Sequence, residues 1–353
     1  MRATFAVVLV AGVATAVGLS MMMRHGGEAE SPPDRLLDPA PGPSPQPAPP
    51  EPGREARDRG EAVTALAARI EGLLAKSDLT GAARVVLAAE SKDFSGESAR
   101  ERSFRVADSL VASAERSSDA AATSSRLDAR RIYALLYRCD AATPDEMTRA
   151  YDACARLNQS LLYGNGAPDE LVLRHKVAQG ESVWALSRGT WKQRGASVPA
   201  GFVLYVNGIA DARRVRVGQT LRVPLEPLRV LVKKSRFDLS VLLGGVPIER
   251  FAVAIGADSS TPAGTFKVKD RVKQPDWYLH GRRIPYGDPQ NIIGTRWIGL
   301  SGAAAAEGIG IHGTSDDSSI GKAVSMGCVR LHNADVEKLF EWLDTGVDVE
   351  IRD

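Results

Sequence analysis

The chain has 353 residues, 44% hydrophobic and 25% charged, with 45 basic against 43 acidic side chains and a formal net charge of +2. That length leaves room for two or three folded domains, and the even charge balance supplies no field over the whole chain that would gather nucleic acid or an anionic membrane, so nucleic acid is excluded as an expected partner. Cys139, Cys154 and Cys328 are too few for a disulfide scaffold and match no spacing of paired zinc thiols, so no metal or other cofactor is expected.

Behind Arg2 an almost wholly apolar run of twenty-one residues extends from Ala3 to Met23. At ~1.5 Å rise per residue such a run spans a ~30 Å hydrocarbon core, so residues 1–25 are expected to anchor the chain in a membrane. A cleaved signal peptide with Ala14-Thr15-Ala16 at its end is the alternative, although the run continues past that site to Arg24. Either way the rest of the chain is expected to be exported. Between Pro32 and Pro52 ten of twenty-one residues are proline, which removes backbone donors and favours extended polyproline II, so residues 26–56 are read as a spacer.

Residues 57–165 show apolar side chains at helical spacing, such as Val63, Leu66, Ile70 and Leu73, and later Met147, Tyr151, Cys154 and Leu157. An α-helical bundle or stack of helical hairpins is expected, with Thr143-Pro144-Asp145-Glu146 as a capping box that has proline at the first helical position. A helix starting there, antiparallel to one ending near Cys139, carries Cys154 well over ~7 Å away, so these two thiols are expected to stay unbonded.

From Val172 to Leu225 the chain carries His175-Lys176-Val177, Gly180-Glu181-Ser182-Val183-Trp184, Leu204-Tyr205-Val206-Asn207-Gly208 and Gly218-Gln219-Thr220-Leu221. Alternation at both ends predicts short strands and the middle pieces predict two short helices, with Trp184 and Leu204 as core. This order resembles a LysM module over residues 172–225, here with histidine in a first-strand position that is usually aromatic. The resemblance implies a βααβ fold that binds glycan strands of peptidoglycan through two loops, one at Gly180, Glu181 and Ser182, the other at Asn207 and Gly208.

After Pro227 the apolar period becomes two, at Leu228, Val230 and Val232, then Leu239 and Val241, then a Gly244-Gly245 turn, then Ile248, Phe251 and Val253, which predicts antiparallel strands. A late helix is expected to start at Asn333 as N-cap and to bury Val336, Leu339, Phe340 and Leu343, so residues 227–353 read as a mostly-β domain. Its chemistry lies in Ile311-His312-Gly313-Thr314 and, sixteen residues after the histidine, Ser325-Met326-Gly327-Cys328-Val329-Arg330. A thiol reacts as its thiolate, and a histidine neighbour favours that form, which pairs Cys328 with His312. Gly327 allows a tight turn with amide N–H groups facing a reacting carbonyl, and Arg330 offers a permanent cation for a substrate carboxylate.

With Thr261-Pro262-Ala263-Gly264-Thr265-Phe266 and Gly294-Thr295-Arg296-Trp297-Ile298-Gly299, these pieces strongly resemble the YkuD-type L,D-transpeptidase catalytic domain. The resemblance implies a bacterial cell-envelope enzyme acting on peptidoglycan stem peptides, with its domains on the outer (periplasmic) side of the cytoplasmic membrane. Cys328 would attack the stem, His312 would be the base, and the Gly313 carbonyl would orient its ring. Arg330, Gly327, Ser325 and Trp297 are the expected substrate contacts. Met326 stands where many members have a second histidine. The implied reaction releases D-alanine through a cysteine thioester and forms a cross-link. L,D-carboxypeptidase or endopeptidase activity, or a catalytically inactive wall-binding protein, are the alternatives. His25 and His280 carry no expected role, and His332 is a candidate contributor to the pocket.

Overall fold

A computed structural model describes residues 52–353 apart from 118, 280 and 303–307. The apolar run at 3–23, the spacer up to residue 51, His25 and His280 therefore lie outside the described residues. Among the described residues no helix is long and apolar enough to cross a membrane.

Helices α1 (Pro52–Ala75), α2 (Leu79–Ala88), α3 (Glu97–Glu115), α4 (Ala120–Arg138) and α5 (Pro144–Leu161) form the N-terminal part. Their starts follow capping chemistry: Asp78 accepts from the Gly81 N–H, Asp119 from the Ala122 N–H, and Thr143 and Glu146 close the expected capping box around Pro144. Helix α1 begins five residues before the helical region was expected, because proline is tolerated in a first turn where its missing N–H has no intrahelical partner anyway. Ile70, Phe104, Ile132, Leu136 and Met147 fill the interior. Cys139 and Cys154 are buried and unbonded, and burial pushes the Cys154 thiol up to about 12.

The next unit runs from strand β1 (Val172–Lys176) through helices α6 (Val183–Arg188), α7 (Thr190–Gln193) and α8 (Ala200–Val206) to strand β2 (Thr220–Pro224), which pairs antiparallel with β1. There are three short helices where two were expected. Trp184, expected in the core, is 41% exposed, while Trp191 is fully buried, edge-on to His175 at 5.7 Å. Helix α6 has six residues, and Val183 and Leu186 take its inward stripe, which turns position 184 outward. Leu204 is buried as expected.

The C-terminal part contains β3 (Leu228–Lys233), β4 (Asp238–Leu243), β5 (Val246–Ala252), β6 (Ile255–Gly256), β7 (Gly264–Lys273), β8 (Trp277–Leu279), β9 (Arg282–Ile284), β10 (Arg296–Ser301), β11 (Gly310–His312), β12 (Ala323–Ser325), β13 (Val329–Arg330), α9 (Asn333–Trp342) and β14 (Asp348–Arg352). Eight of these form one sheet in the order β13-β11-β10-β7-β14-β3-β4-β5. Strands β3, β4 and β5 are antiparallel, as the alternation predicts, whereas β14 joins β3 in parallel and β11 joins β13 in parallel, which no local pattern announces. Helix α9 buries Val336, Leu339, Phe340 and Trp342. Its N-cap is His332, without a side-chain cap bond, and Asn333 sits one position later with its amide turned to other loops.

These parts share one apolar core. Tyr137 of α4 lies 2.6 Å from the Ser240 hydroxyl of β4, and buried Arg130 donates to Asn158 at 2.8 Å and to Glu226 at 3.0 Å. Helix α8 meets α9 so closely that a Cβ on Gly201 would sit 1.8 Å from the Glu341 carbonyl oxygen, and Tyr205 packs on Trp342 at 4.4 Å between ring centres.

Candidate active site

Strand pairing brings the predicted chemistry together. In the ladder Trp297 of β10 lies opposite His312 of β11, and His312 lies opposite Arg330 of β13. Cys328 immediately precedes β13, and Arg330, in register with His312, lies close enough to act on both the thiol and the imidazole. His312 is buried, and its Nδ1 is 2.6 Å from the Gly313 carbonyl oxygen. A carbonyl only accepts, so the contact assigns the proton to Nδ1 and leaves Nε2 as the unprotonated nitrogen; the Ile293 backbone also lies against the ring. The ring stacks against Trp297 at 5.8 Å and 23°, and the Trp297 indole N–H donates to Asp270 at 3.0 Å. Trp297 thus forms a wall for the histidine ring. Gly310 leaves room for it, since a Cβ there would lie 2.7 Å from the indole.

Burial pushes the His312 pKa down to about 4; the nearby Arg330 cation adds to the shift and the Gly313 hydrogen bond opposes it. The imidazole is neutral at pH 7. Burial raises the Cys328 thiol, against the opposing pull of the Gly310 backbone and Arg330. The thiol donates to the Gly308 carbonyl at 3.3 Å, and among the described residues no hydrogen bond joins it to His312. Burial thus works against the thiolate that a histidine neighbour favours, while the Gly310 backbone and the Arg330 cation support it.

The loop holding Cys328 is pinned from inside. The Ser325 hydroxyl donates to the Cys328 carbonyl at 2.6 Å and accepts from the Gly327 N–H at 3.2 Å. Ser325 is buried, so its bonds are spent on the loop instead of on substrate. The Gly327 N–H, expected to face a reacting carbonyl, is likewise taken. Thr261, fully buried, donates to the Gly327 carbonyl at 2.9 Å and accepts from the Gly256 N–H at 2.7 Å. Gly327 has φ +126°, and a Cβ there would come within 3.1 Å of Ile309 and of the Ser260 carbonyl oxygen, so glycine is required.

Arg330 has no carboxylate within 4.0 Å among the described residues, and its Nε is buried without a partner. It stands as a cation beside the thiol and the imidazole, and it also helps to hold the Asp316 carboxyl below the usual carboxylate range. Two further residues shape the site. Asn333 accepts from the Thr295 N–H at 3.0 Å and donates to the Thr314 carbonyl at 2.8 Å, and a Cβ on Gly313 would lie 2.2 Å from its Oδ1. It clamps the two loops that flank the Gly313 carbonyl. Thr261 lies in the Thr-Pro-Ala-Gly motif and Asn333 at an expected helix cap, yet neither role is readable from spacing. His332 pairs with Asp317 at 2.8 Å.

In the β1–β2 unit, Gly180 has φ +82° and Gly208 +67°, with open space around both, and Ser182 is exposed. Glu181 accepts from the Ala178 N–H and from His175, each at 2.8 Å. The Asn207 amide donates to the Val203 and Arg222 carbonyls and accepts from the Arg222 N–H, so its polar atoms are occupied within the unit.

A cysteine on an internally braced loop, a neutral imidazole held by a backbone carbonyl and a neighbouring guanidinium define a thiol acyl-transfer site on a mostly-β domain. The L,D-transpeptidase catalytic domain, YkuD, matches residues 227–351. A Bacillus subtilis protein of that family, YqjB, is 39% identical over 127 residues, covering 35% of this chain and 70% of the relative. YkuD of Bacillus licheniformis is 29% identical over 187 residues, covering 51% of this chain and 99% of the relative. The chain belongs to the L,D-transpeptidase family. Among solved structures, an L,D-transpeptidase from Mycobacterium smegmatis superposes with a TM-score of 0.30 at 15% identity, covering 37% of this chain and 63% of that one. One from Mycobacterium tuberculosis H37Rv gives 0.30 at 13%, covering 52% and 92%.

Proposed function

We propose that this chain cross-links peptidoglycan stem peptides, with Cys328 as nucleophile and His312 as general base. His312 Nε2 takes the thiol proton as Cys328 Sγ bonds to the carbonyl joining the L-centre of a diamino acid to D-alanine. The C–N bond breaks, the D-alanine amine leaves with the proton from His312, and a thioester remains. An amine of a neighbouring stem then attacks the thioester, gives its proton to His312, and the proton returns to the departing sulfur. Arg330 pairs with the carboxylate of the leaving D-alanine. The amide N–H of Cys328 is the candidate oxyanion donor, since that of Gly327 is spent. The observation that carries this reading is the row formed by Trp297, His312 and Arg330 beside Cys328, with the imidazole neutral and aimed by Gly313.

The β1–β2 unit is proposed as the LysM-like wall-binding module, with Gly180, Ser182 and Gly208 on its exposed loops. The domains would work in the bacterial envelope, on the outer side of a membrane that residues 3–23 anchor. Incubation with sacculi rich in tetrapeptide stems, followed by mass spectrometry of the muropeptides, should yield dimers joined between two diamino acids. Tripeptide monomers alone would mean that water resolves the thioester and that the protein is a carboxypeptidase. No change in the sacculi, with wild type and Cys328→Ala alike, would mean a wall-binding protein without turnover.

A further inference from the structure

The near-neutral chain hides a strongly uneven distribution of charge. Residues 172–225 contain nine arginines and lysines against two acids, a net +7, whereas residues 227–353 contain sixteen of each. Both acids of the module are spent internally: Glu181 on His175 and the Ala178 N–H, Asp211 on Arg213. Arg174 pairs with Asp169, and Arg222 reaches the Asn165 side chain and the Val206 carbonyl. That leaves Lys176, Arg188, Lys192, Arg194, Arg214 and Arg216 exposed, with no carboxylate within 4.0 Å among the described residues. The turn at 216–219 bonds back to Val177, which puts Arg216 and Lys176 at one end of the β1–β2 pair. On α6, Arg188 donates to the Trp184 carbonyl one turn earlier, so the exposed indole and this guanidinium share a helix face.

We infer that the module is an electrostatic docking surface for the carboxylates of peptidoglycan stem peptides. The inference rests on the proposed reading of the catalytic site, whose substrate stems carry free carboxylates in repeating array along the wall. Six unpaired cations on one small module are a liability for folding unless an anion meets them, since like charges repel within the compact state. A bilayer surface fits less well: α6 and α7 have six and four residues, too short to lie in a membrane interface, and the large exposed apolar side chains of the module are limited to Trp184 and Val217. A neutral sugar groove alone leaves the six cations without a role. Arginine, which makes up four of the six, matches carboxylates with its two-pronged donor fork.

The test is co-sedimentation of the protein, without its apolar run, with purified sacculi freed of phosphate polymers, between 20 mM and 300 mM NaCl. Retention should fall at least tenfold across that range, because screening shortens the reach of exposed charges from about 20 Å to about 6 Å. It should fall similarly on sacculi whose carboxylates have been amidated, and in the triple variant K192E/R194E/R214E. Salt-independent retention, undiminished on amidated sacculi or matched on chitin, would overturn the inference in favour of neutral sugar recognition. Equal binding to vesicles with about a third phosphatidylglycerol would overturn it in favour of a membrane surface. Turnover of a small soluble tetrapeptide stem by the wild type, measured in parallel, reports the catalytic reading separately.

Discussion

Asn333→Ala should slow the enzyme from a distance. The residue is expected to touch no substrate, yet its amide ties Thr295 to Thr314 across the loops that hold the Gly313 carbonyl, the acceptor of the His312 Nδ1 proton. Removing it deletes two hydrogen bonds, each worth about 0.5–1.5 kcal/mol net, so stability should drop by about 2 kcal/mol. If the Gly313 carbonyl then holds the ring less firmly, loss of about 1 kcal/mol of tautomer preference lowers the ratio of the Nδ1–H to the Nε2–H tautomer by about fivefold, which is the upper bound on the loss of competent base. The assay is steady-state turnover of a soluble tetrapeptide stem together with urea denaturation of the same variant. A fall in kcat of about two- to fivefold with KM unchanged is expected. Asn333→Asp, which retains the acceptor for Thr295, should lie between. Stability lowered as calculated with kcat within twofold of wild type would refute the link from Asn333 through Gly313 to His312.

Cys328→Ala should abolish turnover while urea denaturation changes little, since the substitution removes one half-buried sulfur; measurable turnover in the purified variant would end the nucleophile assignment. The burial-depressed His312 also predicts a pH dependence of stability. With a folded pKa of about 4 against about 6.5 unfolded, the unfolded chain takes up the proton first as pH falls, so stability is complete above about pH 6.5 and declines by about 3 kcal/mol toward pH 4. Urea midpoints at pH 7.5 and 4.5 should show this loss in wild type and a smaller one in His312→Gln. Gly201→Ala pushes a Cβ to 1.8 Å from the Glu341 carbonyl oxygen, so α8 must part from α9; limited proteolysis between residues 207 and 227 should accelerate, and an unchanged digest would show that the contact yields cheaply. Non-reduced peptide mapping should find Cys139 and Cys154 unlinked, and a linked pair would contradict the α4–α5 geometry.

Much of this protein was legible before any coordinates. The capping box at Thr143 to Glu146, the period-two runs of β3 to β5 and the stripe of α9 are local patterns, because hydrogen bonding and burial over a few residues determine them. The Gly313 carbonyl as the partner of the His312 ring followed from family resemblance, and the two lie 2.6 Å apart. Tertiary structure decided what those patterns cannot encode. The parallel joins of β14 to β3 and β11 to β13 depend on how distant segments share one sheet. Trp184 faces outward because Val183 and Leu186 take the inward stripe of the short helix α6, while the buried ring beside His175 is Trp191, a choice that periodicity over six residues does not resolve. Ser325, Thr261 and Asn333 act through bonds to backbone atoms far away in sequence or hidden in a turn. The electrostatics of the reactive residues were likewise a tertiary matter: burial holds the His312 imidazole neutral and raises the Cys328 thiol, against the pull of the Gly310 backbone and Arg330.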